Sequence, residues 1–235
     1  MTDTEIREAA NLYARANRRR IAKELTSLDI LPADSHPITI LMAGSPGAGK
    51  TEFSKGLLNQ LDSRHVLRID ADDLRRYFPD YNGSNSHLFQ AAVVGILERV
   101  IDEALHNSQT FILDGTMTNY EKAVRNIERS LKRNRKVEIY YVYQEPKIAW
   151  NFTQKREQIE GRRILKDNFI QQFINSRRNV TQIRSEYGSE VEIHLVKKDF
   201  KQNVVESVTE ILNIGPSIDD IIGKEYTQAE LEKII

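Results

Sequence analysis

The first segment, Thr4–Leu25, carries apolar positions at Ile6, Ala9, Ala10, Tyr13, Ala16, Ile21 and Leu25, among others. That spacing keeps returning to one side of a helical wheel and predicts an amphipathic leading helix, with Arg18-Arg19-Arg20 on its solvated face. Pro32 and Pro37 bracket a loop, after which short apolar runs alternate with helical patterns. The pattern predicts strands near Ile38–Ala43, Val66–Asp70, Thr110–Asp114, Val137–Tyr143 and Val191–Val196. Helices are predicted near Lys50–Leu61, His87–Asn107, Asn119–Arg133, Pro146–Gln158, Asp167–Tyr187 and Gln202–Asn213. Pro146 suits a first helical turn, where its missing amide is not needed. Such alternation predicts an α/β fold with a mainly parallel sheet flanked by helices. Beyond Gly215-Pro216, a Thr227-x-x-Glu230 capping box predicts a short helix within Ser217–Ile235.

The segment Gly44-Ser45-Pro46-Gly47-Ala48-Gly49-Lys50-Thr51 follows the first apolar strand and opens the next helix. It matches the whole phosphate-loop pattern G-x-x-x-x-G-K-[ST] in the required context. Glycines let successive backbone amides turn toward a phosphate, and the helix N-terminus adds partial positive charge. Lys50 is expected at the β- and γ-phosphates of ATP and Thr51 at Mg²⁺, with Glu52 adjoining the loop.

Two further clusters fall where parallel strands end, the edge at which ligands bind in open α/β sheets. In Arg68-Ile69-Asp70-Ala71-Asp72-Asp73-Leu74-Arg75, a carboxylate can accept the proton of an attacking hydroxyl, and Arg75 can anchor an anionic acceptor. Asp70 or Asp72 also suits the plainer role of a helix N-cap. In Phe111-Ile112-Leu113-Asp114-Gly115-Thr116, Asp114 is a Walker-B-like acid, able to hold a metal-bound water or a substrate hydroxyl, and Gly115 admits a close ligand. A third segment, Lys155–Arg163, sets Arg156, Arg162 and Arg163 around Gly161, a composition suited either to a phosphate-covering lid or to ordinary solvated surface. Arg177 and Arg178 carry the same ambiguity. Lys122, Arg125, Arg129, Lys132 and Lys136 recur at helical spacing and read as a solvated face rather than a nucleic-acid site.

Composition narrows the field. The 235 residues include 34 Lys plus Arg and 34 Asp plus Glu, with no Cys. Zero net charge argues against a generalised polyanion or membrane binder, and the lack of Cys excludes disulfides and thiolate metal sites. The average conceals unlike segments: Lys122–Lys136 holds seven basic residues against one acidic, whereas Val205–Ile235 holds two against seven. The N-terminus is polar, and the longest apolar runs are far short of the ~18 residues of a membrane helix, so a cytoplasmic location is expected.

The phosphate loop, Ile69-Asp70-Ala71-Asp72-Asp73-Leu74-Arg75 with Phe78-Pro79-Asp80-Tyr81 soon after, and Leu113-Asp114-Gly115-Thr116 together resemble the zeta-toxin family of bacterial kinases over about Pro37–Val196. The resemblance implies a P-loop kinase that uses ATP and Mg²⁺ to phosphorylate the 3′-hydroxyl of the amino sugar of UDP-N-acetylglucosamine, held in check by an antitoxin. It makes Asp72 the catalytic base, with Thr51 and Asp72 as the metal-side residues, and Arg156 with Arg162 or Arg163 the lid arginines. Asp73, Arg75, Asp114 and Thr116 are the candidate acceptor contacts. Asp114 stands where better-known members carry Glu, and Thr118 where they carry Arg. The implied organisation is an N-terminal helix and linker (1–36), a kinase domain (37–214) with a lid near 155–166, and a C-terminal extension (215–235). Two other readings stay open: a P-loop kinase for another acceptor, such as a polynucleotide 5′-end or a different nucleotide, and a non-catalytic nucleotide switch. No Asn-Lys-x-Asp guanine-reading motif supports the switch.

Overall fold

The computed structural model describes residues 1–61, 65–161, 163–199, 204–211 and 217–235. Helix α1 (Asp3–Leu25) leads into β1 (Ile38–Ala43), α2 (Lys50–Gln60), β2 (Val66–Asp70), the short α3 (Ala71–Arg75) and α4 (Gln90–His106). There follow β3 (Thr110–Asp114), α5 (Tyr120–Leu131), β4 (Lys136–Tyr143), α6 (Pro146–Glu160), α7 (Lys166–Tyr187) and β5 (Glu192–Asp199). The last elements are β6 (Val204–Ile211), α8 (Ile218–Ile222) and α9 (Gln228–Ile234).

The six strands form one sheet in the order β2-β3-β1-β4-β5-β6, parallel except for the antiparallel pair β5-β6. Because both faces are covered, β1 is apolar almost throughout. Its Leu41 and Ala43 join Phe169, Phe173 and Ile183 of α7, while Ile40 and Met42 join Leu57 of α2 on the other side. A third cluster sets Ala10, Ala14 and Ile21 of α1 against Val93, Ile96 and Val100 of α4. Burying each of these large aliphatic side chains contributes ~1.5–3 kcal/mol, so α1 is fastened along its length, with Arg18, Arg19 and Arg20 exposed as expected. The Phe78-Pro79-Asp80-Tyr81 motif works in the same core: the Phe78 ring lies 5.4 Å from Tyr13 and 5.3 Å from Phe89.

Three local expectations need correction. The helix expected near Gln202–Asn213 is strand β6 over its described part, 204–211, the remainder of that span lying outside the described residues. Val204, Val205, Val208, Thr209 and Ile211 are β-branched, and pairing with β5 outweighs the weak helical spacing. The segment Ser217–Ile235 forms two helices, each opened by a capping box, from Ser217 to Asp220 and from Thr227 to Glu230. Gly223, with φ +78°, separates them. The helix expected from His87 begins at Gln90, after a single 3₁₀ turn over Ser86–Leu88.

Candidate active site

The site lies along the carboxyl ends of β1, β2 and β3. The phosphate loop connects β1 to α2 and needs its glycines. Gly44 (φ +136°) and Gly47 (φ +74°) have conformations that L side chains rarely adopt. A Cβ on Gly44 would meet the Val142 carbonyl oxygen at 2.3 Å, and one on Gly47 the Ala149 carbonyl oxygen at 2.1 Å. The loop is thus wedged between the end of β4 and the first turns of α6. Helix α2 begins at Lys50 with Gly49 as its N-cap and no side-chain cap, unlike α1, α5, α8 and α9. Its first amides therefore remain available to an anion.

Lys50 Nζ donates to the Ser45 carbonyl at 2.7 Å, bending back over the loop. Burial pulls its ammonium down to about 8 from the ordinary lysine value; Asp114, Glu52 and Asp70 oppose that shift, and Arg156 reinforces it. Those charges identify the surroundings of Lys50. Asp70 and Asp114 end β2 and β3, and Arg156 comes from α6.

At the end of β2, Asp70 is the residue that caps: its Oδ1 accepts from the Asp72 amide at 2.8 Å. Burial, with the nearby charges of Asp72 and Asp114, raises its carboxyl above the usual range, opposed by that amide and by Arg68. Asp72 is left to face the site. One carboxylate oxygen accepts from Arg75, and the other lies 3.4 Å from Arg156 Nη2. Arg75 is 6% exposed and spends its other terminal nitrogen on Gln90 at 2.7 Å, so it holds Asp72 in place instead of reaching toward solvent. Asp73 bonds Arg68 at 2.8 Å and lines a cavity of about 360 Å³ outside the sheet edge.

At the end of β3, Asp114 is buried and level with Asp70 in the sheet register. The loop beyond it returns to the phosphate loop, where the Gly44 amide donates to the Thr116 carbonyl at 3.3 Å, and the Thr116 and Thr118 hydroxyls lie 3.1 Å apart. Nothing stands within 4 Å of a Cβ built on Gly115, so space is open beside it.

Helix α6 ends at Gly161 in a left-handed cap. Of the lid candidates, Arg156 reaches the site, Arg163 is turned to the surface 3.8 Å from Glu157, and Arg162 lies outside the described residues. Arg177 is absent from the cluster: it is buried and bonds Asp219 and the Gly223 carbonyl of the C-terminal extension. Arg178 is exposed and bonds Asn175. Much of the basic stripe is neutralised by neighbours, with Arg129 on Asp102 at 2.7 Å, Arg125 on Glu98 at 3.5 Å and Lys136 on Glu138 at 2.8 Å.

Two site residues escaped the sequence reading. Arg68 joins Asp70, Asp73 and Asp114. Lys198, from β5, brings its Nζ to 3.2 Å from where a Cβ on Gly49 would stand. Arg68 opens the segment that carries the aspartates, but its partners come from β3 and α2, and Lys198 lies far along the chain from the phosphate loop.

The donors suited to Mg²⁺ are hard oxygens: the Thr51 hydroxyl at the head of α2, with the Asp114 carboxylate at the end of β3 and the Asp72 carboxylate in α3. Among the described residues no cluster of three or more His, Cys or acidic side chains forms a self-sufficient metal cage. A hydroxyl with one or two carboxylates, completed by phosphate oxygens and water, is how Mg²⁺ is ordinarily held. Among the described residues no helix is long and apolar enough to cross a membrane.

The family model for zeta toxin matches residues 21–208. Among solved structures, one from the PezAT chromosomal toxin–antitoxin system of Streptococcus pneumoniae aligns with a TM-score of 0.67 at 15% identity, covering 100% of this chain and 92% of that one. The complex of AvrRxo1-ORF1 with AvrRxo1-ORF2 aligns at 0.56 and 12% identity, covering 91% and 70%. The same pair with ATP aligns at 0.54 and 13% identity, covering 88% and 65%. At these identities the structural likeness shows the fold. No curated protein sequence matches the chain.

Proposed function

The chain belongs to the zeta-toxin family, and from that membership and the site we propose that it is an ATP-dependent kinase for the 3′-hydroxyl of the amino sugar of UDP-N-acetylglucosamine. One observation carries the reading. A phosphate loop with an uncapped helix start lies at the sheet edge where Asp70 and Asp114 end their strands, and Asp72, just beyond Asp70, is met there by Arg156 from a separate helix. Phosphoryl transfer asks little covalent chemistry of a protein and depends on positioning and charge, which such a cluster supplies.

In this reading Lys50 and the loop amides bind the β- and γ-phosphates. The sugar hydroxyl attacks the γ-phosphorus, the bond from that phosphorus to the β–γ bridging oxygen breaks, and ADP departs. The hydroxyl proton passes to the Asp72 carboxylate, which Arg75 and Arg156 hold in place. Arg156 also spreads positive charge over the migrating phosphoryl group. Mg²⁺, held by Thr51 with help from Asp114 or Asp72, would screen phosphate charge. Asp114, Thr116 and the open space at Gly115 form the acceptor side. The toxin–antitoxin system among its structural relatives supports an antitoxin as protein partner. Ion pairing across the α5 stripe leaves less basic surface for a polynucleotide acceptor.

The test is direct. Protein, ATP, Mg²⁺ and UDP-N-acetylglucosamine are incubated together and the sugar nucleotide is weighed by mass spectrometry. One added phosphate on the amino sugar is expected. An unmodified sugar nucleotide alongside a phosphorylated metabolite from a cell extract would transfer the reading to another acceptor.

A further inference from the structure

Arg68 sits in the strand at the edge of the sheet, yet its side chain is only 10% exposed. Leu67 and Ile69 join the cluster beneath α4. By strand alternation Arg68 and Asp70 share a face, and it is there that Arg68 meets Ser54 of α2. The guanidinium donates to Asp70 Oδ2 and Asp114 Oδ2, both at 2.5 Å, and to Asp73 Oδ2 at 2.8 Å. Its Nε donates to Ser54 Oγ at 3.0 Å, and that hydroxyl donates to Asp114 at 2.9 Å. A single cation thus joins three carboxylates and the phosphate-loop helix.

Asp114 is also the foremost negative charge acting on Lys50. Even so, Lys50 bonds a backbone carbonyl, and among the described residues it forms no ion pair. We propose that Arg68 is a positioning residue: by taking up the charge of Asp114, it keeps the Lys50 ammonium available to nucleotide phosphates. A buried carboxylate deprived of its cation draws in the nearest alternative, and attraction between charges in a poorly hydrated site is strong. Ser54, which donates to Asp114, stands one helical turn after Lys50 on α2, so without Arg68 the Lys50 ammonium is a cation that Asp114 can draw, and the pair so formed competes with ATP. The inference rests on the reading of Lys50 as the phosphate-binding cation.

The experiment measures ATP affinity by calorimetry without divalent cation, so that any role of Asp114 toward Mg²⁺ does not enter. Arg68→Met is expected to weaken ATP binding roughly tenfold, and Arg68→Met combined with Asp114→Asn to recover to within about threefold of the unaltered protein. A merely architectural Arg68 would move ATP affinity and melting temperature together, so thermal melts are read beside the titrations, and the proposal expects affinity to fall in Arg68→Met and recover in the double variant even where the melting temperature does not follow. Should Arg68→Met fail to fold in a thermal melt, Arg68→Gln carries the test, since it keeps a donor for Ser54 while removing the charge. Unchanged ATP affinity in the Arg68 variant, or a loss that Asp114→Asn does not relieve, overturns the proposal. Lys50→Met separates the two levels. If it binds ATP normally, the reading of the phosphate loop fails, whereas a loss there with none in Arg68→Met faults only the role of Arg68.

Discussion

Arg156 Nη2 lies 3.4 Å from Asp72 Oδ2, although 84 residues separate them in sequence. The contact joins α3, which follows β2, to helix α6. In the proposed reaction Arg156 meets charge that develops on the migrating phosphoryl group. Arg156→Ala should therefore lower kcat by about 10²–10³-fold while changing ATP affinity by less than about fivefold. Steady-state kinetics with a nucleotide-binding titration checks this; a loss confined to affinity would contradict it.

Lys50 supplies a pH prediction. Its ammonium loses its proton near 8 in the folded protein, against 10.5 for the ordinary side chain. Below 8 it is charged in both folded and unfolded chains, so the burial cost is fully present; between 8 and 10.5 the unfolded chain binds the extra proton, and stability rises with pH. Lys50→Met should consequently be more stable than the unaltered protein at pH 7, by on the order of 2 kcal/mol, with the gap narrowing as pH rises toward 10. Urea unfolding across pH 7–10 reads this out. ATP affinity of the unaltered protein should weaken over the same rise.

Gly47→Ala puts a methyl where the Ala149 carbonyl already stands, in a backbone conformation that alanine resists. The loop must then move away from α6. ATP binding should fall by at least about tenfold, with a melting temperature only a few degrees lower, because the change is confined to the loop. A calorimetric titration and a thermal melt on the same sample check both halves.

Arg177 fastens the C-terminal extension. It is 2% exposed and donates to the Gly223 carbonyl at 2.5 Å, the Lys224 carbonyl at 3.3 Å and the Asp219 carboxylate. Arg177→Met leaves those acceptors without their donor and should cost about 2 kcal/mol of unfolding free energy. Limited proteolysis should then cut within 217–235 ahead of the remaining chain.

The phosphate loop was legible because all of its chemistry lies in eight contiguous residues. Asp70 and Asp114 were legible as carboxylates closing apolar strands, with Asp72 just beyond the first, which fixes their edge of the sheet. Which aspartate caps α3 was not: Asp70 and Asp72 are equally suited by composition, and only the backbone turn assigns the amide to Asp70. Arg75, a plausible anion anchor by sequence, is committed to Asp72 and Gln90 by a burial that no linear spacing encodes. Arg68 has no role that sequence alone assigns, since its meaning depends on what β3 and α2 bring against it. Strand β6 was missed because its apolar spacing also suits a helix, and the choice is made by hydrogen bonding to β5.

The central claim is that this site transfers a phosphoryl group with Asp72 as the base, and Asp72→Asn tests it most directly. The amide keeps the size of the side chain and cannot take up the proton. Single-turnover transfer from ATP to UDP-N-acetylglucosamine is measured beside ATP affinity for the altered and unaltered proteins. The account predicts transfer slowed by roughly 10²–10⁴-fold, with ATP affinity changed by less than about threefold. Transfer at the unaltered rate would contradict it.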